Sequence, residues 1–156
     1  MCMDYSMRCS CGREEVSLLF RDDLMPPQVI RTIYCPRCSA GAPGEGPADP
    51  ASSVYDNGWV MEYDMEVARF SASSVPGLGK ALSPEAIFDG GYATWRGVYP
   101  GEEVQSARER QELAKLARTD PRGYLEKMRH WAIGRMERLR SEGWRKAQEE
   151  RQGVAR

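Results

Sequence analysis

The sequence predicts a small α+β fold: an N-terminal β-hairpin unit, a Gly/Pro-rich middle and a C-terminal helical hairpin. Three observations lead to this prediction. All five cysteines fall within the first 38 of the 156 residues. Residues 39–53 consist almost wholly of Gly, Pro and small side chains, as expected of a loop. Over the last third of the chain, apolar residues recur at the three- and four-residue spacings of an amphipathic helix.

The first segment, residues 1–38, is predicted to contain two strands joined by a turn. Val16, Leu18 and Phe20 occupy alternate positions, which places them on one face of a strand. Pro26-Pro27 cannot continue a ladder of hydrogen bonds and therefore predicts a turn. Residues 29–34 are rich in β-branched and aromatic side chains and predict the returning strand. Such a hairpin would bring its two ends together.

The middle of the chain offers fewer regular patterns. Residues 39–53 predict a linker or long loop, and residues 54–100 an irregular segment interrupted by many Gly and Pro. Within the irregular segment, residues 59–67 alternate with a period of two and predict a strand. A helix remains the alternative there, because Trp59, Tyr63 and Val67 also share one helical face.

The last segment, residues 101–156, is predicted to form two amphipathic helices and a frayed end. Helices are expected over residues 102–118 and 121–142, with Asp120 as cap and Pro121 in the first turn of the second helix. An apolar stripe runs along that helix, while Gly143 is expected to weaken its end. The stripe consists of Leu125, Met128, Ala132, Met136 and Leu139. The residues expected to contact a partner are Trp131, Arg135, Arg138 and Trp144.

Four of the cysteines have the spacing of a metal site. Cys9 and Cys11 form one pair and Cys35 and Cys38 a second, and the predicted hairpin would join the two pairs. Four thiolates can surround one metal ion as a tetrahedron, and Gly12 suits the tight turn after the first pair. The remaining cysteine, Cys2, is expected to be a free thiol, and the alternative is that it replaces Cys9 as a ligand.

The motif Cys-Ser-Cys-Gly…Cys-Pro-Arg-Cys, over residues 8–39, resembles the zinc-ribbon class of metal modules. The second pair has the usual ribbon spacing, whereas the first has one intervening residue, Ser10, instead of two, and Ser39 stands where ribbons have Gly. The resemblance implies a structural zinc ion bound by Cys9, Cys11, Cys35 and Cys38. Iron in a rubredoxin-like site would use the same ligands, so it stays an alternative.

Charge and hydropathy limit the kinds of partner. The formal net charge is −1, which favours neither nucleic acid nor a membrane surface. Residues 101–156 carry 14 Lys and Arg against 10 Asp and Glu, but the two signs are interleaved, as on a solvated helix. Neither a membrane span nor an apolar secretory segment is predicted, and clustered cysteines suit a reducing compartment. The expected location is therefore cytoplasmic.

The sequence contains no recognised catalytic constellation. His130 is the single histidine and lies within the second predicted helix, away from the cysteines. The predicted function is therefore a protein-interaction or accessory-subunit module, with a four-cysteine zinc site and a helical tail that docks on a protein partner. A nucleic-acid-binding or transcription-associated ribbon is the first alternative. An iron-thiolate accessory subunit of a redox enzyme is the second.

Overall fold

The computed structural model describes residues 2–21, 24–40, 49, 51–78 and 82–148, and the chain divides into a first unit, residues 1–96, and a second unit, residues 97–156. The fold is a small α+β fold with two antiparallel sheets. The strands are β1 (Cys2–Arg8), β2 (Glu15–Arg21), β3 (Ile30–Tyr34), β4 (Ser53–Asp56), β5 (Trp59–Tyr63) and β6 (Ala93–Trp95). The α-helices are α1 (Pro36–Ser39), α2 (Met65–Ala72), α3 (Pro84–Asp89), α4 (Glu102–Ala114) and α5 (Pro121–Glu142), and a short 3-10 helix spans Pro27–Val29.

The first sheet has the strand order β1-β2-β6. Its central strand β2 buries alternate residues, Val16, Leu18 and Phe20, on one face, as the period of two predicts. Strand β1 pairs with β2 along its whole length, from Cys2 opposite Arg21 to Arg8 opposite Glu15. The loop between these two strands therefore begins directly at Cys9.

The second sheet has the strand order β3-β5-β4. Strands β4 and β5 form a hairpin whose two-residue turn is Asn57-Gly58, and both residues have positive φ, 47° and 85°. Asn-Gly is the usual pair in such a turn, because both positions require a left-handed backbone. Strand β3 pairs with β5 and ends at Tyr34, directly before Cys35.

The predicted hairpin between residues 14–20 and 29–34 does not form. Strand β2 pairs with β1 and β6, whereas β3 pairs with β5, so the two segments belong to different sheets. Residues 1–38 are consequently not a separate module, because strands from residues 59–63 and 93–95 complete the sheets. The residue patterns predicted β2, β3 and β5, but not β1, β4 and β6, and they say nothing about which strand edges pair.

Residues 54–100 are more regular than expected. The predicted strand over 59–67 ends at Tyr63, because Asp64 caps helix α2 and accepts hydrogen bonds from the N–H groups of Glu66 (3.1 Å) and Val67 (3.2 Å). The segment is thus strand first and helix afterwards. Ser83 caps helix α3 in the same way. The Gly and Pro residues separate these elements instead of preventing them.

One hydrophobic core lies in the first unit. Its fully buried side chains come from both sheets and from the helices that follow β5, and include Phe20, Met61, Tyr63, Phe88 and Trp95. The indole of Trp95 donates a hydrogen bond to the buried carboxylate of Asp56, over 2.8 Å. The predicted loop 39–53 lies mostly in residues 41–48 and 50, which are outside the described residues.

The second unit contains the two predicted helices, with shorter bounds for the first. Helix α4 ends at Ala114 instead of residue 118, and turns follow it up to the Asp120 cap of α5. The frayed end predicted after Gly143 is wrong for residues 143–148, because Trp144 and Ala147 are buried and residues 145–148 are helical. Residues 149–156, the rest of that predicted end, lie outside the described residues.

Candidate metal centre

The first cysteine pair lies in the loop of the β1–β2 hairpin. The N–H of Cys9 donates to the carbonyl of Glu14 over 2.8 Å, and the N–H of Gly12 donates to the carbonyl of Cys9 over 2.8 Å. Gly12 has φ of +74°, a conformation that side chains disfavour, so glycine permits the tight turn after Cys11. This turn directs both sulfurs of the pair to the same place.

The second pair lies at the start of helix α1. Cys35 is the N-cap residue and Pro36 occupies the first helical position, where its missing N–H costs no hydrogen bond. The N–H of Cys38 donates to the carbonyl of Cys35 over 3.0 Å. One helical turn therefore brings the two side chains of this pair together.

The four sulfurs form a compact cluster. Their Sγ atoms all lie within 4.8 Å of one another. Three Sγ–Sγ distances are 3.6 Å (Cys9–Cys38), 3.6 Å (Cys35–Cys38) and 3.9 Å (Cys11–Cys35). In a tetrahedron of thiolates around a metal ion, with metal–sulfur bonds of about 2.3 Å, neighbouring sulfurs are about 3.8 Å apart. The four predicted cysteines do lie together, in an arrangement that could bind a metal ion.

Two hydrogen bonds connect the two cysteine loops directly. The N–H of Cys35 donates to the sulfur of Cys9 over 3.0 Å, and the N–H of Ser10 donates to the carbonyl of Ile33 over 2.9 Å. Cys9 follows the first sheet and Cys35 follows the second. The cluster therefore lies where the two sheets of the first unit approach each other.

The cluster has a buried side and a solvent side. Cys9 and Cys35 are 3% and 1% exposed, whereas Cys11 is exposed and Cys38 half-buried. Burial opposes ionisation of Cys9, but hydrogen bonds from the backbone N–H groups of Cys11 and Cys35 outweigh it and lower the pKa of Cys9 to about 6. Cys9 is therefore ionised to the thiolate, the form that binds metals, at neutral pH.

Cys38 shows the opposite tendency. Hydrogen bonds that it shares with the sulfurs of Cys11 and Cys9 stabilise its protonated form and raise the pKa of Cys38 to about 12. Four sulfurs at this separation cannot all carry a negative charge without a cation between them, because like charges repel strongly at such distances. A bound metal ion would supply the compensating charge.

The turn between β4 and β5 supports the second cysteine loop, and sequence reasoning did not anticipate this contact. The hydroxyl of Ser39 donates to the carbonyl of Gly58 over 2.5 Å. A Cβ atom built on Gly58 would lie 3.2 and 3.3 Å from the ring atoms of Pro36, closer than an ordinary contact. The Asn57-Gly58 pair indicated a tight turn, but no pattern in the sequence shows what that turn touches.

The four residues expected to contact a partner all make contacts within the second unit. The indole of Trp131 donates to Glu109 over 2.5 Å, and Arg135 forms an ion pair with Glu102. Three further contacts involve the same set of residues. Arg138 lies 3.6 Å from Glu109, Arg135 lies over the ring of Trp131, and Trp144 stacks on Tyr99 with ring centroids 4.8 Å apart.

His130 does not belong to the cluster of four cysteines. His130 is exposed on helix α5. The backbone of Cys2 begins strand β1, while its side chain, and with it the expected free thiol, lies outside the described residues.

Comparison with known proteins adds no family to these findings. No family model, no curated protein and no solved structure matches this chain. In the described part of the chain, every helix is too short or too polar to cross a membrane.

Proposed function

We propose that the chain is a zinc-binding protein-interaction or accessory-subunit module. Cys9, Cys11, Cys35 and Cys38 bind one zinc ion, and the helical tail, residues 101–156, docks on a protein partner. The zinc ion is structural, because four protein ligands fill a tetrahedral site and leave no open position for a substrate.

The observation that carries this proposal is the spacing of the four sulfurs. Three of the six sulfur–sulfur distances, 3.6–3.9 Å, agree with the edge of a zinc–thiolate tetrahedron, and all six lie within 4.8 Å. A second feature supports it. The backbone N–H of Cys35 donates to the sulfur of Cys9, the kind of hydrogen bond that stabilises a metal-bound thiolate.

The role of the metal follows from where the cysteines lie. Each pair is joined to a different sheet, so an ion between the pairs would link the β1–β2 hairpin to the end of β3. Such a link would fix the loop after β1 against the first turn of α1. The result is a rigid surface next to the metal, suited to protein contact.

Positive and negative residues are interleaved along the helical tail, with 14 Lys and Arg against 10 Asp and Glu over residues 101–156. Arg135 and Arg138, two of the arginines expected to face a partner, already form ion pairs with Glu102 and Glu109. Phosphate binding depends on cations that are free to replace counterions. We therefore rank a protein partner ahead of nucleic acid.

The zinc assignment is tested by elemental analysis of the purified chain, with about one zinc per chain expected. Cys35→Ser and Cys38→Ser should each reduce the metal content to a small fraction of that value. Cys2→Ser is the matched control, and it should leave the metal content unchanged. Full metal retention in both knuckle variants would refute the site. An iron-loaded protein with the absorption bands of ferric thiolate would retain the site but change its metal.

A further inference from the structure

Helix α5 has two opposite sides with different surroundings. Trp131 and Arg135 contact residues of helix α4, Glu109 and Glu102. Each is two positions away from Ile133, and two residues correspond to about 200° around a helix. Ile133 therefore points away from α4, and its side chain is 51% exposed.

The helical hairpin buries very little apolar surface of its own. Both helices lie wholly within the described residues, and the single apolar residue that they bury is Leu139. Two ion pairs, Arg135–Glu102 and Arg138–Glu109, connect the helices, while Leu125 is 66% exposed. A helix of 22 residues that also contains Gly123 and Gly134 gains most of its stability from packing, so the exposed side of α5 needs a cover.

The exposed side of α5 has the shape to receive another helix. An open groove of about 290 Å³ runs beside Ile133, lined by Ala132, Ile133, Met136, Glu137 and Arg140. Two small residues flank Ile133, and a Cβ atom built on Gly134 would meet nothing within 4 Å. Small residues at such a position allow two helix backbones to approach closely.

The charges on this side are arranged symmetrically about Ile133. Arg129 lies four residues before it and Glu137 four residues after it; Glu126 lies seven before and Arg140 seven after. Positions four and seven residues apart lie on the same face of a helix. Both of these arginines are thus matched by a glutamate at the same distance on the other side of Ile133.

We propose that this side of α5 pairs with α5 of a second copy of the chain, antiparallel and about a two-fold axis at Ile133. In that arrangement Arg129 faces Glu137 of the other copy, and Glu126 faces Arg140. The two isoleucines meet at the axis, in the grooves beside them. The proposal rests on the docking role proposed for the helical tail, but not on the metal.

The same charges distinguish between the two possible directions of the helices. In a parallel pair, Arg129 would face Arg129 and Glu137 would face Glu137, which places like charges together. An antiparallel pair converts all four contacts into attractions. Two copies of the α4–α5 hairpin would together form a four-helix arrangement, a common way to bury helix faces.

A charge exchange in the full-length, metal-loaded chain tests the proposal, with mass measured by sedimentation over a range of concentrations. The unmodified chain should be dimeric. Arg129→Glu should weaken the dimer about ten-fold or more, because it changes two symmetric attractions into repulsions. Adding Glu137→Arg to Arg129→Glu should restore the dimer. Lys127→Glu is the control, since Lys127 is exposed on another side of α5 and gives the same change of charge.

Each outcome of this experiment bears on the proposal. A monomer at all concentrations would overturn it, as would a dimer that Arg129→Glu leaves unchanged or one that the double exchange fails to restore. Metal content is measured in the same samples. A zinc-loaded monomer would contradict the pairing while leaving the zinc site intact. A metal-free dimer would contradict the zinc site while leaving the pairing intact.

Discussion

Gly58 shows how a single residue outside the cysteine motif shapes the candidate metal centre. Its φ of +85° and its closeness to Pro36 both disfavour a side chain at this position. Its carbonyl also accepts a hydrogen bond from the hydroxyl of Ser39, the residue that directly follows Cys38. The turn at Gly58 therefore contacts the second cysteine loop at Pro36 and Ser39.

We predict that Gly58→Ala destabilises the metal-loaded chain more than Gly77→Ala does. Both glycines have φ of +85°, so either substitution should cost about 1–2 kcal/mol in backbone strain. A Cβ at Gly77 would meet nothing within 4 Å, whereas at Gly58 it meets Pro36, which should add about 1 kcal/mol or more. Urea unfolding measures both free energies. Equal losses would show that the contact with Pro36 is unimportant.

At the scale of single residues, the sequence predicted which four cysteines lie together, but not the residues that contact the cysteine loops. Cysteine pairs are recognisable because both members lie within one turn of chain, so their proximity is already encoded locally. Gly58 and Ser39 are 19 residues apart and meet through the pairing of β3 with β5. Contacts of that kind depend on which strands become neighbours, and no local pattern reports this.

Polar side chains connect α4 and α5. Glu102 is 2% exposed and contacts Arg135 and Ser106. Burial opposes its ionisation, but the hydrogen bonds from Arg135 and Ser106 outweigh burial and hold the pKa of Glu102 below its ordinary value. A hydrogen bond from Trp131 likewise lowers the pKa of Glu109.

These carboxylates should make the stability of the hairpin depend on pH. A carboxyl group with a lowered pKa in the folded state stabilises that state above its unfolded pKa, and this contribution is lost as pH falls through the folded pKa. We expect Glu102→Gln to destabilise the chain by about 2–3 kcal/mol at pH 7, because Arg135 loses its ionic partner. The difference in free energy of unfolding between this variant and the unmodified chain should shrink below about pH 4.

Chemical unfolding followed by helical circular dichroism tests this expectation at several pH values. Glu112→Gln serves as the control, because Glu112 is exposed on the same helix and pairs with the exposed Lys115. Loss of metal in acid is common to both variants and cancels in the comparison. If the loss of unfolding free energy in Glu102→Gln stays constant from pH 7 to acid pH, the ionisation of Glu102 contributes nothing to stability.

The positions of several strands and helices were predicted, whereas the pairing of the strands was not. A period of two identified β2, β-branched and aromatic composition identified β3, and apolar residues spaced by three and four identified most of α4 and α5, because each of these patterns lies within a few consecutive residues. The pairing of β2 with β6 joins residues 77 positions apart at Leu18 opposite Trp95. The hairpin predicted between β2 and β3 was wrong for the same reason: sequence neighbours are not always sheet neighbours.

For the whole molecule, the core and the metal centre are largely separate. The core of the first unit draws on both sheets and on helices α2 and α3, and among the described residues its cluster includes no cysteine. A module of residues 1–38 alone would depend on its metal for folding, as small domains do. The larger core makes such complete dependence unnecessary.

We therefore predict that removal of the metal by a chelator loosens the cysteine loops without unfolding the sheets. Hydrogen exchange should accelerate about ten-fold or more at the N–H groups of Ser10 and Cys38, which are hydrogen-bonded beside the cluster. Exchange at Leu18 and Met61, inside the core, should change far less. Equal acceleration at all four positions would show that the metal is needed by the entire first unit.

The uneven exposure of the cysteines has a consequence for the kinetics of metal exchange. Cys11 is exposed and Cys38 half-buried, so a competing ligand can approach an ion from that side and replace these two thiolates first. Cys9 and Cys35 would retain the ion while the exchange proceeds. Affinity and residence time are then separate properties: an ion bound tightly at equilibrium could still pass rapidly to an acceptor protein. A fully buried set of four thiolates would close that route.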